Sequence, residues 1–445
     1  MEKKYIKGIY KLNESKNLNF HLNKKYSIIE YEKNGRKLNR FINKTLTQFL
    51  IFCINNKTFS AERIFHLLIG ENNSKLNIIK ISKILKKLLN DKIIIKIKNK
   101  GLQSNLNLSG LLNGFMPRHL ILEITYHCNL KCKYCYSYTN KEEKQSELSI
   151  DEIITYLDRF IRYGLKSVEI TGGEPLVKKN IFKLFDYLEK NDIRFSLLSN
   201  GTLIDKNFLK KMENYNNFLV FSISLDTLKE ETYNKLTNSK GKYNKVVNAI
   251  RLISKNKFLL RISTVYTSKN YNELPSIANF CKNNNALFSF SPVMDFGYGI
   301  DYCNKENNRI DTDKLNNIIK TLSNDYSDII PKIDDPLISE NYKLFPNCGA
   351  GYKSLLISPY GDVKPCNLSS EVFGNVIKDG LDKILHNNAM NKYTKFSDNE
   401  YEICKKCKFY TYCKNCIVRT VNKAKNNENC IMREKLFKLG FLEKL

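Results

Sequence analysis

No stretch of the 445 residues is apolar for long enough to span a membrane, which takes about 20 consecutive apolar residues. The N-terminus, Met1-Glu-Lys-Lys-Tyr-Ile, lacks the continuous apolar region of a secretory signal. Both absences predict a soluble, cytoplasmic protein with no membrane partner. Acidic residues are scarce: 45 Asp and Glu stand against 73 Lys and Arg, a formal net charge of +28. Such a balance suits an acidic or nucleic-acid partner. Lys, Asn and Ile recur from end to end, however, and no single basic block stands out, so the charge reads as compositional bias and no nucleic-acid partner is expected. Cysteine is plentiful. The chain has 13, an odd number, mostly in close clusters, a pattern that in a reducing compartment points to metal rather than disulfides.

The chain is long enough for two or three domains. Its organising stretch is Cys128-Asn-Leu-Lys-Cys132-Lys-Tyr-Cys135, which ends the apolar run His119-Leu-Ile-Leu-Glu-Ile-Thr125. Three thiolates on one short loop can close on a metal centre. They supply three ligands to a cubane of four irons, whose usual ligands are cysteine thiolates, and one iron stays open. A three-cysteine zinc site is the alternative reading of the same spacing.

This loop resembles the signature of the radical S-adenosylmethionine enzymes, CxxxCxxC with an aromatic before the last cysteine, here Tyr134. The resemblance implies that Cys128, Cys132 and Cys135 hold a 4Fe-4S cluster, with S-adenosylmethionine chelated on the open iron. From residue 118 the chain alternates strand-like runs (119–125, 167–171, 194–199, 219–225, 259–266 and 287–292) with helical patterns such as Ile150–Tyr163, Ile181–Lys190, Tyr243–Ser254 and Asn272–Cys281. Six βα units predict an α/β fold with a parallel sheet, short of a closed eight-fold barrel. They match the partial (β/α)6 barrel that the family implies.

Functional residues in such folds gather at the carboxyl ends of strands. Thr171-Gly-Gly-Glu-Pro175 follows the second run, Ser199-Asn-Gly-Thr202 the third, and Ser224-Leu-Asp226 ends the fourth. By resemblance, Glu174 receives the methionine amino group. Tyr134, Gly173, Ser199, Ser224 and Asp226 complete the expected cofactor contacts, and no catalytic acid or base is singled out. Relatives often carry an arginine about a dozen residues after the Ser-x-Asp strand. Here that region reads Lys235-Leu-Thr-Asn-Ser, and Arg261 is the expected stand-in. Cys53 and Cys281 read as structural, while Cys303 could face the site.

The last hundred residues carry Cys348, Cys366, Cys404, Cys407, Cys413, Cys416 and Cys430. This field resembles the SPASM extension of peptide- and protein-maturing radical enzymes, which holds two auxiliary iron–sulfur clusters. The family's interleaved pattern assigns Cys348, Cys366 and Cys416 to the first, which has either an open iron or a ligand from elsewhere, Cys303 and a substrate thiolate being the candidates. It assigns Cys404, Cys407, Cys413 and Cys430 to the second. Two residues, not the commoner three, separate Cys413 from Cys416. A pair of zinc ribbons is the reading without the upstream motif.

Residues 1–100 show short strand patterns, three helical patterns (Thr45–Cys53; Ser60–Ile69 with Ser60 as N-cap; Ile78–Leu89) and a closing strand from Asp91 to Ile97. That order resembles the winged-helix RiPP recognition element, which takes the leader of a ribosomally made precursor as an added strand. The expected domains are thus 1–100 for leader binding, a linker over 101–117, the barrel over 118–335 and the SPASM extension over 336–445. The resemblance implies maturation of a ribosomal precursor peptide by cysteine thioether cross-linking, after hydrogen abstraction by a 5′-deoxyadenosyl radical, with flavodoxin or ferredoxin as electron donor. Carbon–carbon cross-linking and epimerisation are the alternatives within the class. A nucleic-acid-modifying radical enzyme and a zinc-ribbon binding protein lie further off. Sulfatase maturation fits less well, because those relatives carry an Asp where this chain has Asn367.

Overall fold

The computed structural model describes parts of the first 110 residues, then 114–137, 146–256, 258–305, 310–330, 347–396 and most of 403–442. The chain divides into two compact units, the first reaching Met116 and the second beginning at Pro117.

The first unit contains two sheets among its described residues. In one, β1 (Ile9–Leu12) lies antiparallel between β5 (Phe59–Ser60) and β6 (Ile94–Ile97). The other is formed by β2 (Asn19–Leu22), β3 (Ser27–Lys33), β4 (Arg36–Ile42) and β7 (Asn107–Gly110), in the order β4–β3–β2–β7. Phe20, Ile28, Ile29, Tyr31 and Ile42 are among its buried side chains. The expected linker 101–117 therefore contains a strand, paired in parallel with β2. Its Asn/Ser/Gly composition hides this, because an edge strand held by main-chain bonds needs few apolar residues. Ser60, expected as an N-cap, ends β5. The three expected helices lie outside the described residues apart from isolated positions, as does Cys53.

The second unit is built on six parallel strands in chain order: β8 (His119–Glu123), β9 (Ser167–Thr171), β10 (Arg194–Ser199), β11 (Phe218–Ser224), β12 (Leu260–Tyr266) and β13 (Ala286–Pro292). The expected strand runs and the observed strands agree to within two residues. Alternation explains the layering. On β12, Leu260, Ile262, Thr264 and Tyr266 are buried beneath helices, while Arg261, Ser263 and Val265 turn to the inner face. The helix Ile150–Arg162 begins at a capping box between Ser149 and Glu152 and buries Ile150, Ile153, Tyr156, Leu157 and Phe160 along one stripe.

The cysteine-rich region joins the same sheet. Its first strand, β14 (Ser354–Ile357), pairs in parallel with β8, and β15 (Asp362–Lys364) and β16 (Gly374–Asn375) continue antiparallel beyond it. Among the described residues no helix is long and apolar enough to cross a membrane.

Candidate cluster and cofactor site

The cysteine loop leaves the carboxyl end of β8 and is fixed on three sides by main chain. Lys131 and Lys133 donate their N–H groups to the carbonyls of Thr237 and Leu236, at 3.1 and 3.0 Å. These are otherwise orphaned carbonyls at the end of the helix Glu230–Thr237. On the second side, Gly173 N–H donates to Thr125 O at 2.7 Å and Glu174 N–H to His127 O at 2.9 Å. A Cβ on Gly173 would stand 2.3 Å from His127 O, so a side chain cannot fit there. On the third, Gly299 N–H donates to Cys135 O at 3.2 Å. Gly297 has a φ of +57°, and a Cβ there would stand 2.2 Å from Tyr136 O. The sequence marked Gly173 but not Gly297 or Gly299, which follow β13 and meet Cys135 and Tyr136 of the cysteine loop only in the folded chain.

Cys128 Sγ accepts from Leu130 N–H at 3.4 Å and from the Asn200 amide at 3.8 Å, and Cys135 Sγ lies 3.4 Å from Ser137 Oγ. Burial pushes the Cys128 thiol up to about 11 and Cys132 well above the usual range, and the proximity of Cys135 adds to both shifts. Cys303 packs with Cys132 against the cluster formed by Tyr134, Leu236, Val293 and Tyr302. Cys281 is fully buried in its helix.

Glu174 is completely buried. Its carboxylate accepts from Ser199 Oγ at 2.9 Å, Asn200 N–H at 2.8 Å and Leu176 N–H at 3.1 Å. Burial nevertheless raises it to about 7. Ser199 thus orients Glu174 rather than offering a free hydroxyl. Asn200, not singled out from the sequence, ties Glu174 to the cysteine loop, since its amide also donates to Asn129 Oδ1 at 2.8 Å. Asp226 is occupied as well: it accepts from Tyr134 Oη and, at 2.7 Å, from Val265 N–H. Tyr134 and Asp226 therefore hold the loop against β12. Ser224 is exposed at the end of β11. Arg261, the expected stand-in, is held on the inner wall, 3.7 Å from Glu169 and donating to Ser222 Oγ at 3.0 Å. At the top of β8, buried Glu123 accepts from the hydroxyls of Tyr126 and Tyr136, at 2.9 and 3.1 Å.

The twelve described cysteines are free thiols. Those of the C-terminal region form two sets. Cys366, which burial pushes up to about 12, feels the proximity of Cys416 and Cys348. Cys413, likewise raised to about 12 by burial, feels Cys430, Cys404 and Cys407. Cys413 and Cys416, with two residues between them, thus face different sets. Among the described residues no three such side chains converge on one point as ligands of a single metal ion would. A cavity of about 220 Å³ lies beside the first set, lined by Phe296, Leu368, Ser369, Ile417, Val421 and Phe441.

Residues 122–281 match the family model of the Radical SAM superfamily, and 348–408 match that of SPASM, an iron–sulfur cluster-binding domain. The chain is 30% identical over 346 residues to the antilisterial bacteriocin subtilosin biosynthesis protein AlbA of Bacillus subtilis, spanning 76% of this chain and 75% of that one. The chain belongs to the radical S-adenosylmethionine family. The mycofactocin maturase MftC of Mycolicibacterium smegmatis is a further relative of this radical enzyme, 27% identical over 280 residues, which cover 59% of this chain and 68% of MftC. The crystal structure of Streptococcus suis SuiB bound to precursor peptide SuiA shares its fold, with a TM-score of 0.57 at 18% identity over 93% of this chain and 97% of SuiB.

A radical S-adenosylmethionine enzyme with a SPASM extension carries a 4Fe-4S cluster, S-adenosylmethionine and auxiliary iron–sulfur clusters. The residues present fit these groups. Buried thiols that raise one another's proton affinity favour a cationic centre, which deprotonates its thiol ligands outright. The glycines let the Gly-Gly-Glu turn close onto the backbone of Thr125 and His127, which sets Glu174 beside the cysteine loop.

Proposed function

We propose that this enzyme matures a ribosomally synthesised precursor peptide by forming cysteine thioether cross-links. The observation that carries this reading is the match to a bacteriocin biosynthesis protein across three quarters of both chains, barrel and cysteine field together. When bound, the site cluster and S-adenosylmethionine supply a carbon radical that takes a hydrogen atom from an unactivated C–H bond.

The chain's own residues hold, orient and exclude water. Cys128, Cys132 and Cys135 ligate the site cluster. Glu174 accepts from the cofactor's amino group, held in place by Ser199 and Asn200, and Gly173 and Ser224 line the same site. Cys348, Cys366 and Cys416 ligate the first auxiliary cluster, and Cys404, Cys407, Cys413 and Cys430 the second. With three protein thiols, the first auxiliary cluster has room for a substrate cysteine, and the cavity beside Leu368 and Ile417 gives a peptide a seat there. The first unit binds the leader as an added strand, the mode that exposed sheet edges permit. Flavodoxin or ferredoxin supplies the electrons, in the cytoplasm.

The test is anaerobic. The reconstituted protein is incubated with S-adenosylmethionine, a reductant, deuterated water and a cysteine-containing precursor encoded beside it, and the peptide is weighed. Loss of two hydrogens with a cysteine that no longer alkylates is the expected result. Loss of two hydrogens with all thiols free would replace the thioether by a carbon–carbon link, and gain of one deuterium would replace it by epimerisation. 5′-Deoxyadenosine formed over an unchanged peptide would reject that substrate.

A further inference from the structure

Glu123 ends β8 and is 4% exposed. Burying a carboxyl is costly unless it is hydrogen-bonded, and a well-packed apolar residue often serves stability as well. Burial pushes this carboxyl up, while two phenols and Lys364 of β15 pull it down. The phenols are informative through their places in the chain. Tyr126 comes two residues before Cys128, and Tyr136 directly follows Cys135. Tyr126 Oη donates to Glu123 Oε2 at 2.9 Å, and Tyr136 Oη donates to Glu123 Oε1 at 3.1 Å. A single carboxylate thus ties both ends of the cysteine loop, one end on each oxygen.

The two ends differ in what else holds them. At the entry, Glu147 accepts from Tyr126 N–H at 2.6 Å and from Thr125 Oγ1 at 2.7 Å. Gly173 and Glu174 add their N–H groups to the carbonyls of Thr125 and His127. At the exit, Gly299 N–H donates to Cys135 O, and the phenol of Tyr136 supplies a side-chain tie. We propose that Glu123 is a positioning residue for the site cluster, a clasp that fixes the separation of the loop's ends and with it the spacing of Cys128, Cys132 and Cys135. Groups that orient metal ligands from behind cost about 10- to 100-fold in metal affinity when removed. The assignment rests on the family's cluster and not on the peptide reading, so it is tested without peptide.

The reconstituted full chain is exposed anaerobically to an iron chelator. The site cluster is followed through the change that S-adenosylmethionine makes in the electron paramagnetic resonance spectrum of the reduced protein. Thermal midpoints of the metal-free proteins report the fold. Wild type is compared with Tyr126→Phe, Tyr136→Phe and the triple variant Glu123→Met/Tyr126→Phe/Tyr136→Phe. The triple variant replaces the whole network by apolar groups of similar size, which leaves no polar member of it unpaired. Tyr136→Phe should lose the signal about tenfold faster than wild type. Tyr126→Phe should lose it more slowly than Tyr136→Phe, because Glu147 still holds its backbone. The triple variant should be at least as fast as Tyr136→Phe, at a midpoint close to wild type. A wild-type rate in the triple variant would overturn the clasp and leave Glu123 as a buried polar group of the fold. Should the triple variant not fold, the single variants decide, and equal rates or a faster loss in Tyr126→Phe would overturn it.

Discussion

The barrel and the C-terminal region both gather cysteines, but by different means. The Cys128–Cys135 loop is gripped through its backbone, by carbonyls of the helix Glu230–Thr237, by the Gly172-Gly173 turn and by Gly297 and Gly299. The C-terminal sets are held by short turns, such as Cys407 N–H to Cys404 O at 2.8 Å and Cys416 N–H to Cys413 O at 3.0 Å, and both Cys348 and Cys407 are exposed. Among the described residues the first loop is held by backbone from three separate elements, whereas the contacts of the second are mostly local, so its metal is expected to contribute more to its folding.

The largest expected effect lies in the ligands themselves. Cys128→Ala should abolish 5′-deoxyadenosine formation, whereas Cys413→Ala should lower iron content and leave cofactor cleavage standing, both read by chromatography and iron analysis. Metal removal comes next. Limited proteolysis of chelated protein should cut within about 400–430 and spare the six-stranded barrel; equal cutting of both would erase the contrast.

Glycine substitutions probe the same difference. Gly297→Ala puts a side chain into Tyr136 O at a left-handed φ and should cost about 3 kcal/mol or more. Gly380→Ala, in the C-terminal region, meets nothing within 4 Å and should change stability by less than about 1 kcal/mol. Denaturation midpoints of the reconstituted proteins check both.

The smallest effect is pH-dependent. Burial raises Asp226 from 3.8 to about 6. The stability this adds is full below its unfolded value and is lost as pH rises through about 6. An amide in place of this carboxyl would keep the acceptor for Val265 and could donate to Tyr134. Asp226→Asn should therefore gain on wild type by up to about 2 kcal/mol between pH 4 and 7, seen as diverging midpoints of the metal-free proteins.

Much of this was legible in the sequence. The barrel strands are apolar runs bounded by polar turns, so their limits could be read to within two residues. CxxxCxxC and Gly-Gly-Glu-Pro carried the family because their spacing is itself the chemistry. Other features were hidden for physical reasons. The helix Glu230–Thr237 is short and polar, with only Tyr233, Leu236 and Thr237 buried, so it gave no periodic signal. The pairing of β14 with β8 joins residues more than 200 positions apart, beyond any local pattern. Gly297 and Asn200 matter through what other strands bring beside them, and Ser199 and Asp226, plausible cofactor contacts from their place at strand ends, are engaged within the protein.

The most direct measurement takes Cys413→Ala/Cys430→Ala and wild type through the same peptide reaction, quantifying 5′-deoxyadenosine and peptide mass together. A barrel that generates the radical and a C-terminal region needed to complete the product predict 5′-deoxyadenosine from both proteins and a modified peptide from wild type alone. A variant that still modifies the peptide, or one that retains its site cluster yet forms no 5′-deoxyadenosine, would contradict that division.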